Sequence, residues 1–204
     1  MSRDFFAQKA ASYEQNVQRV DNVVAIGNAI KAHVVLSPDM QLLDFGAGTG
    51  LLLQQIAPWV SKITALDVSP AMNAQLRAKT ADIACELEVL EQDLLQTPLQ
   101  RQFDGIISSM TLHHIADIPA LLCEFHRLLK PGGFIALADL DTEDGSFHTE
   151  DTGVFHWGFD RAAIAIQAQA AGFSQVQVVD ASVVQKPHGR YPVFLLTGIR
   201  RATA

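Results

Sequence analysis

"LLDFGAGTG", residues 42–50, runs as an apolar strand into an acid and then into three glycines separated by single small residues. A strand that ends this way must bend sharply. Glycine at 46, 48 and 50 lets the backbone take positive φ and leaves no Cβ to hold a partner away. Outward from this bend the chain alternates between two periods. "KITALDV" is a second strand, "ACELEVLEQD" a third, "FDGIISSM" a fourth that is apolar throughout, and "FIALADL" a fifth. Helical stretches lie between them. "GLLLQQIAPWV" follows the glycines, and "SPAMNAQLRAKTA" opens with a Ser cap and Pro at the first helical position. A stripe of Ile118, Leu121, Leu122, Phe125, Leu128 and Leu129 starts from the cap Asp117 and is stopped by "KPGG". "FDRAAIAIQAQAAGF" is a further helix, capped near Asp160 and closed by Gly172, and "QVQVVDASVV" and "YPVFLLTGIR" follow with no helix between them. Such alternation predicts an α/β fold with a mostly parallel sheet, helices on both faces, and a closing antiparallel pair. Ahead of it, Val23, Ile26, Ile30 and Val34 keep helical spacing until "SPD".

With 204 residues, 49% of them hydrophobic, the chain can bury one large core. The longest apolar runs, such as "PVFLLTGI", fall far short of the ~20 residues that span a bilayer, so no membrane span is expected. "MSRDFFAQKAAS" carries an early acid and no apolar centre, unlike a secretory signal. Cys85 and Cys123 sit in apolar contexts without CxxC spacing and read as buried thiols of a reducing compartment, which points to the cytoplasm. The net charge is −7 and the basic residues are scattered, which disfavours nucleic acid as a partner.

In an open α/β sheet, ligands bind beyond the carboxyl ends of the strands. A dinucleotide site uses G-x-G-x-x-G, and in "GAGTG" the third glycine falls one position early. Asp67, at the end of the second strand, can accept both hydroxyls of a ribose; it can equally cap the helix that follows. Asp93, in "EQDLL", can accept from an adenine amino group, with Leu94 beside it to pack on the ring. None of these strand ends offers a fixed cation for a pyrophosphate.

These stretches together resemble a class I S-adenosylmethionine-dependent methyltransferase of the small-molecule type, similar to the ubiquinone/menaquinone-biosynthesis C-methyltransferases. "LLDFGAGTG", "ALDVSPAM", "EQDLL", "FDGIISSMTLHHI" and "LLKPGGFIALAD" are similar to successive family motifs over residues 40–140. The resemblance implies a doubly wound, Rossmann-like sheet of seven strands with the last antiparallel. It implies a single methyltransferase domain over 1–204, with an N-terminal helical lid (1–38), a cofactor-binding core (39–140) and a substrate-side loop, helix and closing β-hairpin (141–204). It also implies S-adenosyl-L-methionine as cofactor and S-adenosyl-L-homocysteine as product. Gly46, Ala47, Gly48 and Gly50 would then approach the methionine part, with Asp44 reaching its amino group. Asp67 would hold the ribose, Val68 and Met72 would lie by the adenine, and Asp93 and Leu94 would frame it. Ser109 would line the floor near the sulfonium, and Tyr13 would fold over the methionine end from the lid, which Phe5 and Phe6 would pack.

Displacement at a sulfonium depends mainly on alignment, and a base is needed only where the acceptor must lose a proton. His113 and His114 follow Ser109 and are candidates to face an acceptor, although His114 can equally cap or pack the next helix. Asp139 and Asp141 share a face at the end of the fifth strand; either one of them meets the methyl group or both hold the loop "DTEDGSFH". His148 and His156 flank a polar loop, "TEDTGVF", long enough to cover a substrate. These histidines have no metal-ligand spacing, and no metal is expected. The expected partner is a small-molecule methyl acceptor, modified at oxygen, nitrogen or carbon. Competing readings are a non-catalytic or regulatory S-adenosylmethionine-binding protein, an RNA- or protein-directed methyltransferase, and a nicotinamide-dependent oxidoreductase.

Overall fold

A computed structural model describes residues 4–7, 9–150 and 152–201. Seven strands form one sheet: β1 (Gln41–Phe45), β2 (Lys62–Asp67), β3 (Glu86–Glu91), β4 (Phe103–Ser109), β5 (Leu129–Leu140), β6 (Phe173–Lys186) and β7 (Gly189–Arg200). Their order is β3-β2-β1-β4-β5-β7-β6, and β7 lies antiparallel between β5 and β6 while the others run parallel. The winding reverses between β1 and β4, the place where an open sheet of this kind leaves a crevice.

The pleat sorts the apolar residues to two faces. Leu42, Phe134, Ala136, Val193 and Leu195 pack with α1 (Val17–His33), α2 (Leu51–Ile56) and Leu76 of α3 (Pro70–Ala78). Leu43, Phe45, Ile135, Leu137, Phe194 and Leu196 pack with α4 (Ile118–Leu128) and α5 (Arg161–Ala170). Because both faces are covered, strands such as β4 are apolar without alternation.

The caps fall where local chemistry predicts. Ser69 accepts from Met72 N–H, Asp117 from Ala120 N–H, and Asp160 from Ala163 N–H. One boundary differs. The stripe extended α4 through Leu129, but Leu129 is extended (φ −83°, ψ 145°) and begins β5. Lys130 precedes Pro131, whose ring disfavours the helical region for it, so the helix unwinds before "KPGG". Among the described residues no helix is long and apolar enough to cross a membrane.

Candidate active site

The turn after β1 is pinned to the tip of β2, since the Gly46 and Ala47 N–H groups both donate to Leu66 O. Asp44 falls on the Leu42 side of the pleat and is buried beneath this turn. Gly48, at φ +56°, donates its N–H to Asp67 Oδ2 over 2.8 Å, and a Cβ built there would meet nothing within 4 Å. Its bare backbone therefore faces open space. Gly46 answers a different need, because a Cβ there would lie 2.2 Å from Thr111. Gly50 was expected against a ligand; instead its Cβ position is 2.5 Å from Leu76 Cδ1, so it serves the packing of α2 on α3.

At the end of β4 the chain bends at Met110, which takes φ +56° and donates its N–H to Ala138 O. A positive φ at a non-glycine residue is costly and tends to mark a site. The bend sets Ser109 into a cavity wall and leads to a short turn, Leu112–His114.

That cavity has a volume of about 320 Å³. Its wall joins Asp44, Gly46, Ala47, Gly48 and Thr49 to Ser109, His113, His114 and His148. Arg19 and Asn22 of α1 flank it, and Phe6, Lys9 and Tyr13 cover it. Four atoms in its wall, Asn22 Oδ1, Asp44 Oδ2, Thr49 Oγ1 and Ser109 Oγ, are buried and find no hydrogen-bond partner among the described residues. Buried polar atoms are rarely left so, and together they form a receptor for a polar ligand. Burial, with Asp67 adding repulsion, pushes the Asp44 carboxyl up to about 8. An ammonium group beside it would remove that penalty, which fits the amino group of a methionine-derived cofactor. Tyr13 is raised by burial, while the Arg19 guanidinium 3.9 Å above its ring acts in the opposite sense.

The expected nucleoside residues lie outside the cavity wall. Asp67 is half-buried and accepts from the N–H groups of Gly48 and Ser69. Burial raises its carboxyl, and these hydrogen bonds offset part of that. Val68 is exposed and Met72 is buried. Asp93 closes its own turn by accepting from Leu95 N–H and Gln96 Nε2. Leu94 was expected on an adenine ring; its side chain is instead committed to the core with Leu43, Phe45 and Leu66. Over this end runs the N-terminal segment, held by Ser69 Oγ donating to Asp4 Oδ2 over 2.8 Å and by the Lys79–Glu14 ion pair.

The histidines converge. His113, 1% exposed, pairs its Nδ1 with Asp139 Oδ1 at 2.6 Å, and its backbone N–H points to Asp139 Oδ2. Burial alone would raise Asp139, but His113 and the surrounding N–H groups hold it below the usual carboxylate range. Asp141 takes no part, because Arg161 clasps it through Nε and a terminal nitrogen at 2.7 and 2.8 Å. The loop after β5 folds back onto the His113 carbonyl through the N–H groups of Phe155 and His156. It thereby brings His148 Nε2 to 3.3 Å from His113 Nε2. His148 Nδ1 meets Thr152 Oγ1 at 3.1 Å, and His114 Nδ1 meets Gly153 O at 3.3 Å. His156 is not in the wall; its Nε2 binds Ile115 O. Burial, reinforced by His113, lowers His114 to about 4 and His148 to about 3, so both are neutral at pH 7. The lack of metal-ligand spacing in sequence concealed this grouping, in which one ligand atom from each of His113, His114 and His148 lies within 4.8 Å of the others.

Sequence reasoning also passed over Asn22, Thr49 and Arg19. A buried Asn inside the apolar stripe of α1 was a legible signal for the first; Thr49, between glycines, looked like a spacer.

A sequence profile described as "Methyltransferase domain" matches residues 43–137. A methyltransferase of Schizosaccharomyces pombe is 31% identical over 157 residues, covering 69% of this chain and 55% of that protein. One of Geobacillus kaustophilus is 30% identical over 148 residues, covering 69% of this chain and 67% of that protein. The chain thus spans little more than half the length of the yeast relative. Among solved structures, phosphoethanolamine N-methyltransferase 2 of Haemonchus contortus in complex with S-adenosyl-L-methionine superposes with a TM-score of 0.71 at 16% identity. That match covers 98% of this chain and 60% of that one.

Proposed function

This chain belongs to the class I S-adenosylmethionine-dependent methyltransferases, and on that premise we propose that it methylates a small organic acceptor lodged against the His113–Asp139 pair. One observation carries the proposal: Asp44 and the glycine turn line the same cavity as Ser109 and the histidines. Donor and acceptor can lie in line across it. S-adenosyl-L-methionine supplies a methyl group on a sulfonium that needs no further activation as a leaving group, and departs as S-adenosyl-L-homocysteine.

The chain's own residues position and protect. Asp44, Thr49 and Asn22 meet the methionine amino group, and Arg19, with donors to spare beyond its bond to the Tyr13 carbonyl, faces the carboxylate. Gly46, Ala47 and Gly48 let the ligand approach the backbone. Asp67 keeps lone pairs for the ribose hydroxyls, with Val68, Met72 and Asp93 nearby. Tyr13 closes the methionine end and excludes water, and Ser109 lines the floor. Asp139 holds His113 as the Nδ1–H tautomer, so that Nε2 presents a lone pair able to take a proton from the acceptor. His114 packs beside it.

The roofed cavity and the net charge of −7 favour a small acceptor over RNA or protein. Cys85 and Cys123, expected to be buried, are half-buried and exposed respectively because each sits at the edge of an apolar face; as free thiols they suit a reducing compartment, and we place the protein in the cytoplasm. Incubating the protein with methyl-labelled S-adenosyl-L-methionine and cell extract split by ultrafiltration tests the assignment. Label is expected in the small-molecule fraction. Label in RNA or protein would overturn the acceptor class, and none in either fraction would favour the non-catalytic reading.

A further inference from the structure

We propose that His113, His114 and His148 form a binding site for a divalent first-row transition ion of the Zn²⁺ class, with an open coordination position facing the cavity. The observation behind it is the way the three rings are held. Each has its Nδ1 engaged: that of His113 by the Asp139 carboxylate, that of His114 by the Gly153 carbonyl, and that of His148 by the Thr152 hydroxyl. Metal-bound histidines are oriented in this manner, the outer nitrogen donating to an oxygen while the inner one binds the ion. Nε2 remains as the ligand atom. The Nε2 atoms of His113 and His148 are 3.3 Å apart, about the edge of a tetrahedron with Zn–N bonds of ~2.0–2.1 Å. One ring nitrogen of each of His113, His114 and His148 lies within 4.8 Å of the others, so binding would draw the His114 ring toward the other two.

In the metal-free protein His148 Nε2 and His113 Nε2 face each other, with Thr152 and Asp139 at the outer ends of the pair. A cation can sit between the two nitrogens, the Thr152 hydroxyl then accepting from His148 Nδ1–H. The ligand chemistry selects the ion. Three imidazole ligands, with no carboxylate in the grouping among the described residues, suit Zn²⁺, Co²⁺ or Ni²⁺ and do not suit Mg²⁺ or Ca²⁺, which take oxygen ligands. Three histidines leave a position for a fourth ligand. It opens on the cavity that also meets the glycine turn, where a water or an oxygen atom of the methyl acceptor would bind. The acceptor part of this inference rests on the methyltransferase reading, and the metal part does not. With the ion bound, His113 Nε2 would be a ligand and no longer a base, and coordination would instead lower the proton affinity of the acceptor's oxygen.

The test is titration of tag-free, chelator-stripped full-length protein with Co²⁺, followed by visible absorption. One equivalent should bind with the intense bands of a four- or five-coordinate ion, Zn²⁺ should displace it, and Mg²⁺ should not. His148→Gln should abolish the bands while S-adenosyl-L-homocysteine still binds. Asp139→Asn should weaken Co²⁺ by about 10–100-fold, the usual loss on removing such a supporting carboxylate. Persistence of the bands in His148→Gln, or their absence from the wild type, overturns the site. X-ray absorption of the Zn²⁺-loaded wild type needs no variant: three imidazoles at ~2.0–2.1 Å support the proposal, and fewer than three refute it. A protein that binds S-adenosyl-L-homocysteine but not Co²⁺ loses the metal site alone. One that binds Co²⁺ but not S-adenosyl-L-homocysteine loses the cofactor cavity alone.

Discussion

Asp44 shows how a single buried acid can tune the empty and the filled site in opposite directions. Its carboxyl is pushed up to about 8 in the folded protein, mainly by burial, against an ordinary value near ~3.9 in the unfolded chain. The folded state therefore binds a proton that the unfolded state has released. The stability this group contributes is whole below about pH 4 and is lost as the pH rises through about 8. Asp44→Asn removes the dependence while keeping the shape. In the cofactor-free state the variant should melt higher than wild type, by a margin that widens from pH 5 to pH 8. Its affinity for S-adenosyl-L-homocysteine should fall by ~1–3 kcal/mol, the scale of a charge-assisted hydrogen bond. Thermal melts at both pH values, with titration calorimetry, check both halves. An unchanged affinity would remove Asp44 from the ligand's reach.

At the scale of elements, the N-terminal segment differs from everything it touches. Its short helical turn, Ala10–Gln15, buries only Ala10, and the segment is fastened by Lys9–Glu150, Lys79–Glu14 and the Asp4–Ser69 hydrogen bond. Ion pairs with partly exposed partners contribute little to stability. The segment is therefore loosely held, yet it carries Tyr13 onto the cavity. Removing residues 1–15 should leave the melting temperature nearly unchanged. It should weaken S-adenosyl-L-homocysteine about tenfold or more, since closing an aromatic side chain over a ligand is worth ~1.5–3 kcal/mol. Calorimetry on the truncated chain, beside Tyr13→Ala, checks this; full affinity after truncation would show that the segment is no lid. The contrast explains why some elements were easier to read than others. The stripe of α4 and the caps Ser69, Asp117 and Asp160 are local chemistry, and local chemistry is written in consecutive residues. A segment that docks through scattered polar contacts leaves no periodic mark.

Across the whole molecule, what could be read ahead of the structure follows the same division. Alternation of period, the glycine turn and the terminal antiparallel pair predicted the sheet and its crevice, because each rests on near neighbours in the chain. Leu94 could not be placed, since its side-chain direction depends on how β3 meets the second core. Nor could the histidine cluster, because His113 and His148 meet only after the loop beyond β5 turns back on the His113 carbonyl. The cavity has the same non-local origin: its wall draws on the lid, α1, the β1 turn, the β4 bend and that loop. A ligand filling it touches elements from both halves of the chain, so its binding energy should appear as stability of the whole fold. At a hundred times its dissociation constant, a ligand specific to the folded state adds about 2.7 kcal/mol. For a chain of this length each kcal/mol raises the melting temperature by ~2–4 °C. S-adenosyl-L-homocysteine at that concentration should therefore raise the single unfolding transition by about 5–10 °C, followed by calorimetry or fluorescence, while NAD should leave it unmoved. A shift confined to a minor early transition would mean that the ligand grips only a local part. An equal response to NAD would mean that the bend at 46–50 accepts adenosine without regard to the sulfonium end.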